Sequence, residues 1–408
     1  MNIGIVTTWF DRGAAYVSKA YMDTFRSENN VFIFARGGEY YGINDPNWDH
    51  ENVTWAEKNK LKPDLYINWK EFSNWIKKNR IDIILFNEQR DWDIIIRCQE
   101  LNIPIGAYID YYTKETIPYF WLYDFLFCNT QKHFQVFKNH PQVFYLPWGT
   151  NINQFKPPTN STKNIKITFF HSCGISPIRK GTDILVNAFN QFKGDANLII
   201  HSQEPLIDKY PDIYHLIKQD KRIKLIEKLV PQPGLFYMGD VYVYPTILEG
   251  IGLTIMEALA SGLPVITTNE APMNEFIIDG QNGKLVDVAY RKRRYDNYYW
   301  DLSYCDLTSL VNAFNYYYEN IYRIDSFKQN ARDYAIHHLD WKKNSESLNQ
   351  IIKEIAITRT QENCKLLNNV KSFETKRFIN HYHDYLTSRF TFGFNKLVRF
   401  IKPNKTKE

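Results

Sequence analysis

Two stretches of the chain alternate short, nearly unbroken apolar runs with longer amphipathic ones. In the first, 3–8, 30–35, 81–86 and 103–109 read as strands, and 14–27 and 72–79 read as helices. In the second, strands fall at 165–171, 196–201, 223–226, 241–244 and 265–268. A helix over 182–192 opens there on Gly181-Thr182-Asp183, a polar start of the kind helix caps favour. Strands apolar along their whole length belong in a parallel sheet covered on both faces. Alternation of strand and helix predicts βαβ units with right-handed crossovers. Between the two series lie Leu146-Pro147-Trp148-Gly149-Thr150-Asn151 and Phe155-Lys156-Pro157-Pro158, prolines and polar residues that fit a linker. The expected fold is α/β, with two Rossmann-like domains at 1–150 and 151–340 facing a cleft. Ligands of such sheets lie beyond the carboxyl ends of the strands.

Composition narrows the class. A chain of 408 residues suits two cores better than one, and 44% apolar with 23% charged residues is ordinary for a globular protein. The start, Met1-Asn2-Ile3-Gly4-Ile5-Val6, reads as a strand rather than a secretion signal, and no run approaches a spanning helix. The five cysteines form no Cys-x2-Cys pair, which suggests a reducing compartment and argues against structural zinc. From Lys376 onward, eight Lys or Arg face two acids, so the net charge of +5 sits in the tail and the body is near neutral. That balance argues against nucleic acid as a partner and for a basic appendage.

The candidate chemistry centres on Glu249-Gly250-Ile251-Gly252-Leu253-Thr254-Ile255-Met256-Glu257-Ala258. A β-rich segment, Val241-Tyr242-Val243-Tyr244-Pro245, precedes it, and Ser261-Gly262-Leu263-Pro264 carries helix-stop signals after it. The motif is a strand, a glycine turn and a helix start. Unpaired N–H groups and the positive dipole end of such a start attract phosphate. Glu249 stands at the mouth of the turn and Glu257 about one turn into the helix. Gly174-Ile175-Ser176-Pro177-Ile178-Arg179-Lys180-Gly181 follows the first strand of the second series, and its adjacent cations suit a departing diphosphate. No Gly-x-Gly-x-x-Gly or Walker loop accompanies these strands.

The Glu249-x7-Glu257 pattern resembles the signature of the retaining family 4 glycosyltransferases (glycosyl transferases group 1), which have the GT-B fold. The resemblance extends through Pro264-Val265-Ile266-Thr267-Thr268, Ala271-Pro272-Met273-Asn274-Glu275, read as a helix opening, and the Asn282-Gly283 turn. It implies that Glu249 approaches the transferred sugar, that Glu257 holds the ribose, and that Gly252, Leu253 and Thr254 meet the diphosphate. Arg179 and Lys180 resemble the family's Arg/Lys-Lys-Gly segment, although Gly174 stands where many members carry a further Arg. Gly13, after the first strand, corresponds to a glycine loop near donor phosphates and acceptor, or serves a simple turn. At Tyr108-Ile109-Asp110-Tyr111-Tyr112 relatives often place a His, and Asp110 or Tyr111 would contact sugar hydroxyls here. Glu88 is another residue at a strand end facing the cleft, with a structural role equally open. The segment at Pro147 is similar to the family's domain linker, and Asp340-Trp341 resembles the start of its closing helix, expected to cross back over 341–358.

Asp91-Trp92-Asp93 matches the metal-binding Asp-x-Asp of another glycosyltransferase fold, and is read here as a solvated helix start with no catalytic metal. Residues 290–300 look like a basic aromatic insertion. The 359–408 extension, with cations among aromatics over 389–402, either lies on an anionic membrane surface or packs on the body. The expected activity is a retaining, metal-independent transfer of a hexosyl-type group. The donor is a nucleotide-diphosphate sugar and no cofactor is needed. The acceptor is the hydroxyl of a saccharide or lipid-linked saccharide, in polysaccharide synthesis. The expected place is the cytoplasm, at the face of a membrane if the tail binds one. A sugar-nucleotide epimerase and a non-catalytic nucleotide-sugar binder are the rival readings.

Overall fold

The computed structural model describes residues 1–36, 42–57, 65–158, 166–358 and 366–382. The first half runs β1 (Asn2–Thr7), α1 (Gly13–Phe25), β2 (Asn30–Ala35), β3 (Val53–Trp55), α2 (Trp69–Asn79) and β4 (Ile83–Asn87). It continues through α3 (Trp92–Cys98), β5 (Ile105–Tyr108), β6 (Phe125–Cys128), α4 (Gln131–Phe137) and β7 (Val143–Tyr145). Its seven strands are parallel in the order β3-β2-β1-β4-β5-β6-β7. Alternate residues serve opposite faces. Ile3, Ile5, Ile83 and Leu85 pack with Val17, Tyr21 and Phe25 of α1, while Val6, Ile84 and Phe86 pack with Phe72 and Trp75 of α2 and Ile94 and Ile95 of α3. Both faces are covered, which is why these strands carry no polar alternation.

The second half runs β8 (Thr168–Gly174), α5 (Thr182–Gln191), β9 (Asn197–Ser202), α6 (Leu206–Lys209), α7 (Pro211–Gln219), β10 (Ile223–Glu227) and β11 (Val241–Tyr244). Then come α8 (Leu253–Ala260), β12 (Val265–Thr268), β13 (Gly283–Val286), β14 (Val288–Lys292), β15 (Leu302–Cys305), α9 (Leu307–Glu319) and α10 (Ile324–His338). Six strands form a second parallel sheet, β10-β9-β8-β11-β12-β13, and β14 pairs antiparallel with β15.

The two-sheet α/β architecture is as the pattern implied. Four strands of the two parallel sheets escaped it, β3, β6, β7 and β13, none longer than four residues. So short a segment shows no period. The segment at Ala271-Pro272 opens a 3-10 turn, Met273–Phe276, rather than an α-helix. Gly283 is already the first residue of β13.

After α10 the chain returns to the first sheet through α11 (Trp341–Asn344) and α12 (Leu348–Glu354). Trp341 stacks near Trp148 with ring centroids 4.1 Å apart, and Asn349 Nδ2 donates to Thr24 O at 3.1 Å. A further helix over 366–382 packs on the α2–α3 side of the first sheet. Val370 is fully buried there, and Phe373 meets Tyr119 at 5.5 Å. This part of the extension therefore packs on the body; residues 389–402 lie outside the described residues. Among the described residues no helix is long and apolar enough to cross a membrane.

Candidate functional site

Strand order reverses between β1 and β4 in one sheet and between β8 and β11 in the other. A crevice opens at the carboxyl ends of the strands at such switch points. The loops after β1, β4, β5, β8 and β11 meet across a cleft of ≈ 1910 Å³. Gly13, Asp110, Arg179, Lys180, Glu249, Gly252, Leu253, Thr254 and Glu257 all line it, as does Glu88. Residues singled out from both halves of the sequence are thus brought to one place.

Glu249 is buried at 7% exposure, at the end of the turn after β11. Its Oε1 receives Lys180 Nζ at 2.6 Å, Thr246 Oγ1 at 2.8 Å, Tyr244 OH at 2.9 Å and Arg179 Nη1 at 3.3 Å. Burial opposes the charged form, but the two cations overcome it and draw the carboxyl down to about 2. Lys180 is largely withdrawn from solvent as well, which lowers its ammonium to about 8 although Glu249 pulls the other way. Lys180 Nζ also donates to Tyr244 OH and lies 4.8 Å from the centre of that ring. The cations expected to meet a diphosphate are therefore tied to the carboxylate expected to meet the sugar. Tyr244 and Thr246, which fasten this knot, were not foreseen. They belong to a strand end and a turn that read as ordinary structure.

The loop bearing Arg179 and Lys180 is held against the β11 turn by backbone contacts. Ile247 N donates to Arg179 O at 3.0 Å. Gly181 caps α5 at φ +68, and a Cβ there would lie 2.0 Å from Pro245 O. Only glycine permits that approach.

Gly252 caps α8 in the left-handed region, so Leu253 and Thr254 form the first turn with their N–H groups free of intrahelical acceptors. No acidic side chain occupies that turn, which leaves the helix start open to an anion. Glu257 lies one turn on, and burial holds its carboxyl up to about 7, with Lys180 pulling it down. Gly13 faces α8 from the other sheet: a Cβ on it would sit 3.9 Å from Leu253 Cδ1.

The wall opposite belongs to the first sheet. Asp110 follows β5, and burial together with the neighbouring Glu88 raises its carboxyl well above the usual range. Glu88 follows β4 at φ +52 and pairs with Arg12 at 3.3 Å. Arg36, at the end of β2, is buried beneath them and donates to Asn87 O, while its Nε and Nη2 have no partner among the described residues. A cation at a strand end was visible in the sequence and went unremarked.

The basic aromatic segment at 290–300 comprises the end of β14 and its connection to β15, and it packs against the first sheet. Tyr298 stacks on Tyr111 with centroids 5.1 Å apart, and its OH donates to Asp110 O at 3.0 Å. Trp300 Nε1 donates to Tyr112 OH at 2.7 Å. Nearby, Glu275 caps α4 by accepting from Gln131 N and Lys132 N at 2.7 and 2.8 Å. His133 Nε2 contacts Gly250 O at 3.2 Å, joining the first half to the Glu249 turn.

The Asp91–Asp93 pair is not a solvated helix start. Asp91 is 2% exposed, caps α3 through Asp93 N, and pairs with Arg377 Nη2 at 3.0 Å. Asp93 pairs with Arg97 at 2.8 Å. Among the described residues no group of three His, Cys, Asp or Glu is placed to hold a metal.

Comparison with known proteins bears on the half that carries Glu249. Residues 166–292 match the family Glycosyl transferases group 1. The chain is 27% identical over 185 residues to sucrose synthase 2 of Oryza sativa subsp. japonica, which covers 43% of the chain and 21% of that protein. The chain thus spans about a fifth of that relative's length. Similarity of structure reaches further. A glycosyltransferase from Rickettsia africae ESF-5 superposes with a TM-score of 0.69 over 88% of the chain and 99% of its own, at 16% identity. Anabaena HepE in complex with UDP and glucose superposes with a TM-score of 0.67 over 86% and 99%, at 16% identity.

The fold is GT-B. In this GT-B chain the family match covers β8 to β14, the half with the glycine turn, and stops within the hairpin.

Proposed function

We propose that the chain is a retaining glycosyltransferase of the family 4 type, moving a sugar from a nucleoside diphosphate to a hydroxyl acceptor. The observation that carries this reading is the gathering of Glu249, Glu257, Lys180 and the open start of α8 in one cleft, within the family match. The diphosphate lies at Leu253 and Thr254, where free N–H groups and the helix dipole receive it. Arg179 and Lys180 stabilise the charge that develops on the leaving phosphate. Glu249, held ionised by those cations, faces the transferred sugar, and Glu257 takes the ribose hydroxyls. Asp110 and Gly13 line the acceptor side. A leaving phosphate oxygen takes the acceptor proton, so no side-chain base and no metal is required.

The solved neighbour holding UDP and glucose makes UDP the first nucleotide to try. A thermal-shift panel of UDP, GDP, ADP and dTDP tests the donor site, since a ligand that binds the native state raises the melting point by mass action. Anomeric configuration of the product, read by NMR, then tests retention, and EDTA tests independence from metal. A flat panel, or an inverted product, overturns the reading. The acceptor is proposed to be a saccharide or lipid-linked saccharide at the cytoplasmic side of a membrane.

A further inference from the structure

The contact between His133 and Gly250 is one link in a longer chain of hydrogen bonds. Trp300 Nε1 lies 2.7 Å from Tyr112 OH, Tyr112 OH 2.9 Å from His133 Nδ1, and His133 Nε2 3.2 Å from Gly250 O. Tyr112 and His133 are both buried. The two ends set the direction of the whole chain, because an indole N–H only donates and a backbone carbonyl only accepts. Tyr112 OH accepts from Trp300 and has its own proton for His133 Nδ1. That nitrogen is then the unprotonated one, and Nε2 carries the hydrogen that reaches Gly250 O. The other neutral tautomer would set a lone pair against the carbonyl oxygen. Burial above all, with the Lys132 cation beside it, pushes the imidazole down to about 3, which keeps the ring neutral.

This route crosses between the halves twice. Trp300 and Gly250 belong to the second half, Tyr112 and His133 to the first. The start of α4, which carries His133, is fastened to the second half at two further points. Glu275 accepts from Gln131 N and Lys132 N, and Lys132 Nζ donates to Ala271 O at 2.6 Å. The imidazole is thus held against the turn that bears Glu249. In a trans peptide the N–H points away from the C=O, so drawing Gly250 O to His133 turns the Ile251 N–H the opposite way. Gly250 and Ile251 line the cleft and His133 does not. The Ile251 N–H has no acceptor among the described residues, although Ile251 is buried.

We propose that His133, oriented by Tyr112 and Trp300, is a positioning residue that holds the turn 249–251 ready for the transferred sugar only while the two halves are together. This rests on the glycosyl-transfer reading and adds a regulation of that same site. Parting the halves breaks the chain at both ends, between Trp300 and Tyr112 and between His133 and Gly250, and releases the turn. The nucleotide site proposed at α8 and Glu257 makes no use of this chain. Turnover therefore depends on it and nucleotide affinity does not.

Two measurements on the full chain test this. Long-range ¹H–¹⁵N correlations of histidine-labelled protein show which ring nitrogen of His133 carries the proton, the signal being assigned by its absence from His133→Phe. Nε2–H is expected near neutral pH, and an Nδ1–H tautomer or an imidazolium overturns the proposal. Kinetics use hydrolysis of UDP-glucose, or of the glucose conjugate of whichever nucleotide the thermal-shift panel selects. His133→Phe and Tyr112→Phe should each lower kcat about tenfold, while affinity for the free nucleotide stays within about twofold. His133→Gln, which keeps an amide donor, should recover most of the loss. Wild-type kcat in both Phe variants, or a parallel loss of kcat and nucleotide affinity, overturns the proposal. A wild-type chain that binds no nucleotide of the panel counts against the transferase reading, and the His133 tautomer still decides the hydrogen-bond chain.

Discussion

Lys180 Nζ lies 2.6 Å from Glu249 Oε1, so the cation proposed for the leaving group and the carboxylate proposed for the sugar are a single, largely buried pair. Neither can be altered alone. Lys180→Ala should lower kcat about a hundredfold, the scale seen when one preorganised donor to developing charge is removed. Donor affinity should fall by less, because the α8 start still holds the diphosphate. The pH profile carries a sign. The Lys180 cation is lost as pH rises through about 8, so kcat/KM should decline above that value. A larger effect on affinity than on turnover would remove Lys180 from leaving-group stabilisation.

Glu257 gives the opposite sign. Its carboxyl is held up to about 7, and the ionised form accepts ribose hydroxyls more strongly than the protonated one. Affinity for UDP-glucose, whose own diphosphate does not titrate near neutrality, should therefore rise with pH up to about 7 and then level off. Glu257→Ala should weaken UDP and UDP-glucose alike by about tenfold and abolish that pH dependence. The same burial bears on folding. The native state holds a proton that the unfolded chain releases near 4.5, so this residue's contribution to stability is lost as pH rises from about 4.5 to 7. Glu257→Gln should gain stability relative to the wild type across that window, measured by urea unfolding at pH 5 and pH 8.

What could be read beforehand follows from where the information resides. Runs such as 241–244 and 265–268 are apolar because both faces of the strand are covered, and they matched β11 and β12 residue for residue. The Glu249 turn was legible because glycines, carboxylates and a helix start are contiguous. In the site's other half Glu88 and Asp110 stood out singly as strand-end residues, but Arg36 did not, since residues from three separate strand ends meet only through sheet order. Asp91 was misjudged for a related reason. Its partner Arg377 lies 286 positions away, and no local pattern announces so distant a pairing.

The β14–β15 hairpin should hold the cleft's two walls together. Tyr298 contributes a ring stack and a hydrogen bond across the cleft, and aromatic pairs add roughly 0.5–1.5 kcal/mol beyond area burial. Tyr298→Ala should cost about 2–4 kcal/mol by chemical denaturation, while Tyr298→Phe, which keeps the stack, should cost about 1. Equal losses in the two variants would mean that the stack contributes nothing.

Two glycines of the same loop make a sharper comparison. Gly174 and Gly181 both have positive φ, +56 and +68, so alanine is strained at either. Their surroundings differ. A Cβ at Gly174 would meet nothing nearer than Gln203 Oε1 at 4.0 Å, whereas one at Gly181 would lie 2.0 Å from Pro245 O. Gly174→Ala should therefore cost only the left-handed penalty, about 1 kcal/mol. Gly181→Ala must push the loop off the β11 turn, at about 3 kcal/mol or more, and carries Lys180 away from Glu249. Its turnover should then fall as far as that of Lys180→Ala, while Gly174→Ala stays within about tenfold of the wild type. Urea melts and kcat on the two variants decide the matter. Equal stabilities would show that backbone strain alone governs this loop, and a fully active Gly181→Ala would show that turnover does not depend on the Lys180–Glu249 contact.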